Sequence, residues 1–311
     1  MSAEPHNRWR ILAIVSIAEV LGMSVWFSAS AVSPELRELW NLDASQSGWL
    51  TTVVQIGFVA GTALAAFLNL ADIVPARWLF AVTSVLAGVA NAALVFVPGF
   101  RSALVLRFAT GFFLAGVYPP AMKMMATWFK SSRGLAIGTL IGALTVGKAL
   151  PYLIRAVEGA DFRDILLAAS ANSLVAAAMV GIFYRDGPHS FERRPFSLAL
   201  SGTILRHRPT RLAILGYLGH MWELYAMWTW IPAFVAASLS TCGAGEPVWV
   251  EHVIAFGAIA AGGIGCVWAG WQADRIGRER IVNIAMAVSG TCSLAIGLFF
   301  GALFFFVTLV A

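Results

Sequence analysis

Polar residues fall in short clumps along this chain, and between the clumps run apolar stretches of about 20 residues. That is the length at which a helix crosses a hydrocarbon core of about 30 Å. Nine such runs lie at 11–32, 47–69, 78–97, 102–124, 134–155, 164–184, 211–238, 249–271 and 281–300, and 301–311 begins a tenth. Lipid offers no partner to an open backbone, so each run predicts a helix. The pattern predicts an all-α polytopic membrane protein.

Composition agrees. The hydrophobic share is 59% and the charged share 12%, about half the charge of a soluble domain. The net charge of +5 is spread between the runs and not gathered into a stripe, which argues against nucleic acid. Cys242, Cys266 and Cys292 form no CxxC pair, so neither a disulfide framework nor a metal site is implied. Arg8 and Arg10 precede the first run, which is too long for a signal peptide and contains Glu19. A first spanning helix is the better reading.

Lysine and arginine fix a direction. Alternate loops carry 15 on one side, among them Arg8, Arg77, Lys123, Arg133, Arg275 and Arg280. The other side carries 4: Arg37, Arg101, Arg155 and Arg163. The positive-inside rule places the N-terminus in the cytoplasm of a multi-pass protein. The long polar segment 185–210 then reads as a cytoplasmic linker between a bundle at 1–184 and a second, partial one at 211–311.

Two polar turns betray a duplication. Gly270-Trp-Gln-Ala-Asp274-Arg275-Ile-Gly277-Arg278 sits between two runs, and a fainter copy with Asp72 and Arg77 lies at 68–77. Glu19 and Trp26 in the first run are matched by Glu223 and Trp230 in the seventh, 204 positions on. Internal duplication of this kind is a mark of transporters.

These residues resemble the major facilitator superfamily, whose turn Gly-x-x-x-Asp-Arg-x-Gly-Arg follows helices two and eight. Gly270 to Arg278 matches it fully, and Arg107-x3-Gly111 resembles the family's helix-four arginine motif. The first copy departs from it, with Pro75 in the place of glycine and Ile73 in that of arginine. The stretch from Arg107 through Tyr118-Pro119-Pro120 to Thr127-Trp128 is similar to bacterial nitrate/nitrite and cyanate-type porters. The resemblance implies two pseudo-symmetric six-helix bundles, here with the second incomplete at about nine to ten helices. It implies a chain truncated before helices eleven and twelve, so that Asp72 lacks its helix-eleven partner. Asp274 is expected beside Arg133 and Gly134. The turn residues Asp72, Arg77, Gly270, Asp274, Arg275, Gly277 and Arg278 are the implied gating motif.

Ionisable groups inside a bilayer cost about 2.5–3.5 kcal/mol each, so each needs a reason. Glu19 and Glu223 fall near mid-membrane, with Arg107, Lys148 and Trp26 nearer the periplasm. Glu19 and Trp26 are two turns apart and share one helix face, as do Glu223 and Trp230, and His220 lies one turn from Glu223. The family's central cavity is lined by spans one and seven. Glu19, Glu223 and His220 are therefore candidates for proton coupling, or else for structural hydrogen bonding. Arg107, Lys148, Trp26 and Trp230 are candidates for substrate binding. Arg107 alternatively clamps backbone carbonyls, and snorkelling to the surface is the better reading of Lys148, as of Lys123. Gly134, Gly138 and Gly142 form a stripe for close helix approach. Pro119-Pro120 predicts a kink.

HExxH, GxSxG and P-loop motifs are absent from the sequence, so no catalytic residue, cofactor or resident metal is expected. The expected activity is secondary transport of a small anion or organic acid by alternating access, driven by protons, from the inner membrane of a bacterium. The expected partners are substrate, protons and lipid, with the protein monomeric. Efflux of a hydrophobic or cationic compound and a non-transporting sensor are the alternatives.

Overall fold

The computed structural model describes residues 7–157, 160–189, 202–204, 206–241 and 248–301. Thirteen α-helices cover most of them. They are α1 (Arg8–Met23), α2 (Ser28–Ala31), α3 (Ser33–Trp40), α4 (Ala44–Phe67), α5 (Leu70–Ile73), α6 (Ala76–Ala92), α7 (Phe100–Leu114), α8 (Tyr118–Trp128), α9 (Arg133–Arg155), α10 (Phe162–Phe183), α11 (Arg208–Thr241), α12 (Val248–Ile276) and α13 (Arg278–Ala295). Cys242, much of the linker and 302–311 lie outside the described residues. Among the described residues, seven helical segments are long and apolar enough to cross a membrane: Ala44–Phe67, Ala76–Phe96, Phe100–Trp128, Arg133–Arg155, Phe162–Phe183, Trp249–Ile276 and Arg278–Leu298.

Local chemistry explains the boundaries. Asp43 and Gln46 close a capping box at the start of α4, at 2.8 and 3.0 Å, and Asp161 begins α10 with Asp164 in the same way. Such caps satisfy amides that a helix start leaves open. Gly277 adopts φ 93° between α12 and α13, a conformation that side chains resist. The proline at the corresponding place in the first copy, Pro75, has φ −55°.

The predicted kink appears as a break at 115–117, just ahead of Pro119 and Pro120. A second break was not foreseen. The first run is not one straight helix: α1 stops at Met23 and α2 starts at Ser28. The Ser24 hydroxyl donates to Leu21 O at 2.7 Å and Ser28 to Val25 O at 3.0 Å, so hydroxyls compete with amides for helix carbonyls. The seventh run, by contrast, lies inside one unbroken helix of 34 residues that includes Pro232.

Helices pair where side chains are small. α4 meets α7, α6 meets α10, and α9 meets α12 most extensively. The stripe on α9 finds its partner there: a Cβ on Gly138 would stand 2.4 Å from Cys266 O, and one on Gly142 2.6 Å from Gly263 O. Backbones this close give dispersion contact without a large side chain. The main core joins α1, α8, α9, α10, α11 and α12 around Trp26, Phe27, Met124, Leu140 and Trp228. A smaller cluster around Leu36, Leu50 and Ile165 closes the end beneath α3.

Candidate functional site: a lysine caged by three aromatic rings

The break in the first run creates the site. With residues 24–27 out of the helix, carbonyls are freed that need donors. Arg107 supplies them from α7. Its Nη1 donates to Val25 O at 3.0 Å, its Nη2 to Trp26 O, and its Nε to Leu50 O at 3.3 Å. Nη1 also reaches Asn91 Oδ1 at 3.3 Å and Ser28 Oγ at 3.4 Å. Asn91 is anchored in turn to Leu166 O and Ser170 Oγ, both at 3.0 Å. Arg107 is fully buried and committed to the backbone. Of its two expected roles the geometry matches the clamp, because its fork is already spent on carbonyls.

The clamp turns Trp26 inward. Its ring stacks on Tyr225 of α11 with centroids 6.0 Å apart and meets Phe58 edge-on at 5.1 Å. Into this wall α9 sends Lys148. The ammonium lies 3.8 Å from the centre of the Trp26 ring, 4.5 Å from Trp228 and 5.0 Å from Tyr225. It donates to the Tyr225 hydroxyl at 3.3 Å. Lys148 is 3% exposed, so the expected snorkelling does not occur: three rings and a hydroxyl replace water around the charge.

Glu19, two turns before the Trp26 position, is also fully buried. Neither of its carboxylate oxygens has a hydrogen-bond partner among the described residues. Lys148 is the opposite charge that acts on it. A buried carboxylate and a buried ammonium thus share one interior between α1, α9 and α11.

The second Glu/Trp pair does not mirror the first. Glu223 turns to α13, where its Oε1 accepts from Ser289 at 2.8 Å and Ser293 at 3.0 Å. His220 Nδ1 stands 3.9 Å from the other oxygen. Trp230 is 68% exposed and lies away from the cage. Tyr225 and Trp228 occupy the inward face of α11 instead. Positions two apart on a helix point in nearly opposite directions, so Glu223 and Tyr225 cannot both face Lys148. The sequence signal for the aromatic pair was their i,i+3 spacing inside a Trp-rich run.

The two turns differ as well. Asp274 accepts from Gly134 N at 2.8 Å and Leu135 N at 3.0 Å, seating a carboxylate on open amides at the positive end of α9. Gly270 packs against Gly134, Arg275 covers the Trp271 ring at 3.5 Å, and Arg278 begins α13. In the first copy, Asp72 is not left without a partner. Lys123 of α8 reaches it at 2.6 Å and also donates to Ala71 O, so Lys123 is folded back onto the turn where snorkelling was expected. Arg77 lies over the Trp78 ring at 4.6 Å.

A bundle of apolar helices with broken spans, buried charges at its centre and a carboxylate-locked turn is the architecture of a polytopic membrane protein. The family model of the Major Facilitator Superfamily matches residues 14–311, and the chain belongs to that family, which consists of transporters and not enzymes. The hexuronate transporter of Escherichia coli K12 is 23% identical over 188 residues, 58% of this chain and 43% of that protein. The galacturonate transporter of Dickeya chrysanthemi is 23% identical over 181 residues, 57% of this chain and 52% of that protein. The chain thus spans about half the length of these relatives. Among solved structures, the proton:xylose symporter XylE matches with a TM-score of 0.65 at 14% identity, covering 99% of this chain and 78% of that one. A bacterial homologue of the lysosomal transporter Spinster matches with a TM-score of 0.62 at 14% identity, covering 99% and 72%.

Proposed function

We propose that this protein is a proton-coupled secondary transporter that moves a small anion or organic acid by alternating access. The carrying observation is the buried pair of Glu19 and Lys148 inside an aromatic wall. That wall is built from two bundles, 1–184 and 211–311, joined by the linker 185–210. Glu19 without a hydrogen-bond donor is poised to take a proton. When it does, Lys148 loses its counter-charge and becomes free to hold a substrate carboxylate, with Trp26, Tyr225 and Trp228 against the substrate's apolar faces. Deprotonation restores the pair and expels the anion. The two curated relatives named for sugar acids support an anionic substrate, and the symporter among the structural matches supports protons as the driving ion.

The arginine and lysine asymmetry supports a bacterial cytoplasmic membrane with the N-terminus inside, and the protein works as a monomer. Glu223 with His220 is retained as a second proton-coupling candidate, though its serine partners favour a structural role. One observation favours a different reading: an aromatic cage around an ammonium is also a receptor for organic cations. Efflux of a cationic compound would then displace Lys148 from its rings.

Uptake into proteoliposomes under an imposed pH gradient tests the proposal, using galacturonate and a quaternary amine as paired probes. Glu19→Gln is expected to abolish gradient-driven accumulation of the anion while leaving exchange intact. Gradient-driven uptake at the parent rate by that variant would overturn the coupling assignment. Transport of the amine alone would replace uptake with efflux.

A further inference from the structure

Both ends of the break in the first span are tied to one stretch of α10. At the near end, Ser24 shares its hydroxyl proton between Leu21 O and Ala169 O, the latter 3.1 Å away. At the far end, Ser28 Oγ stands 2.5 Å from Oδ1 of Asn91 on α6, and Asn91 carries the tie onward. Its Nδ2 donates to Leu166 O and Ser170 Oγ, both at 3.0 Å. Leu166, Ala169 and Ser170 fall within little more than one turn of α10. The break is therefore strapped to a single level of that helix.

Asn91 spends its whole amide on this. An asparagine side chain offers one acceptor oxygen with two lone pairs and two N–H donors. The oxygen faces Ser28 and accepts from Arg107 Nη1 at 3.3 Å, and both donors go to α10. Arg107 Nη1 also reaches Val25 O at 3.0 Å, the second acceptor open to the Ser28 proton. Whichever acceptor the hydroxyl leaves, the guanidinium covers. Ser24, Ser28, Asn91 and Arg107 are fully buried, so a bond lost in this network is not recovered from bulk water. A short side chain spans the gap because α6 runs close to α10 here: a Cβ on Gly88 would stand 3.1 Å from Ser170 O.

Between the two ties lies Trp26, whose carbonyl accepts from Arg107 Nη2 and whose ring covers the Lys148 ammonium at 3.8 Å. We propose that Asn91 is a positioning residue for the cage. It fixes the height of the break on α10 and, through Arg107, how closely the Trp26 ring covers Lys148. Without it Arg107 keeps its carbonyls but loses its tie to α10, residues 25–28 shift with the guanidinium as a unit, and the ring slides off the lysine. The effect on Lys148 stands on this geometry alone. The effect on substrate rests on the reading of the cage as the transport site.

The test reads Lys148 directly. The purified full chain is treated with acetic anhydride, and acetylation of Lys148 and of exposed Lys130 is followed by peptide mass spectrometry. In the parent, Lys148 is expected to react far more slowly than Lys130. Asn91→Leu has a similar size and no hydrogen bonds, and it is expected to speed Lys148 several-fold at an unchanged Lys130 rate. Asn91→Asp keeps the acceptor side and loses both donors to α10, so it is expected to act in the same direction and decides the matter if the leucine variant does not fold. Ser173→Ala removes another buried bond between the same two helices, from Ser173 Oγ to Ser84 O at 2.8 Å. It is expected to lower the melting temperature and leave Lys148 protected. Labelling at the parent rate in a folded Asn91 variant overturns the proposal. Equal acceleration by Ser173→Ala overturns it too, because general loosening of α6 from α10 would then be the cause. In proteoliposomes Asn91→Asp is expected to raise KM for galacturonate about tenfold at a nearly unchanged kcat. Faster labelling with KM unmoved keeps the positioning role and removes the cage from the transport path instead.

Discussion

Lys148 holds its ammonium 3.8 Å from the centre of the Trp26 ring, so the middle of α9 meets the break in the first span at a single nitrogen. Tyr225 of α11 supplies a ring wall and a hydroxyl that accepts from the ammonium. Three segments distant in sequence depend on one charge.

Removing that charge while keeping its length is the direct probe. Lys148→Met is expected to lower kcat/KM for anion uptake about 30-fold, from the loss of roughly 2 kcal/mol of charge-assisted hydrogen bonding to the substrate carboxylate. Its melting temperature in detergent should change little, because a thioether fills the same space among rings. An unaltered kcat/KM would remove Lys148 from the transport path.

Arg107 should behave in the opposite way. Arg107→Leu strands the carbonyls of Val25, Trp26 and Leu50, each costing about 1–3 kcal/mol when buried without a donor. A large fall in thermal stability is expected, and Arg107→Lys should recover part of it. KM for substrate in the lysine variant should match the parent. A KM raised tenfold with stability intact would return Arg107 to the list of substrate contacts.

Asp274 sits on the open amides of α9. Asp274→Asn keeps the shape but loses the charge, at a cost of about 1 kcal/mol. Crosslinking between cysteines placed at Arg133 and Arg275 should become less efficient in that variant, reporting a looser α9–α12 contact at this end. Equal crosslinking would show that the carboxylate charge is dispensable.

Gly138→Val tests the seam itself. Its Cβ alone would stand 2.4 Å from Cys266 O, so the helices must part. Overpacking of this kind costs about 1–3 kcal/mol. Lowered yield and melting temperature are expected, whereas Gly265→Ala, with nothing within 4 Å of the new carbon, should be neutral.

Much of the fold was legible because a bilayer reads sequence by length and polarity. The span edges from 44 to 183 fall within a few residues of the apolar runs. The glycine stripe on α9 and the seat of Asp274 at Gly134 were both visible in advance. What escaped was orientation. The seven-residue spacing of Glu19 and Trp26 implied one straight face, but the helix stops at Met23 and Trp26 is aimed by Arg107. The same spacing picked Trp230 on α11, although the helix turns Trp228 and Tyr225 inward. Lys148 was placed at the membrane surface because hydropathy cannot reveal that three rings converge from elsewhere in the chain. Asp72 looked orphaned because the family resemblance gave its partner to helix eleven, while Lys123 lay two spans along the chain.

Between Gly134 and Gly263 the α9–α12 seam is nearly bare of large side chains, so little interlocks along its length. Such a joint offers small resistance to rocking, and the grip that opposes it sits at one end, where Asp274 holds the first amides of α9. The glycine stretch is then a fulcrum for the proposed rocking, and the energy that tilts the molecule is set by the cost of lifting that one carboxylate off its seat.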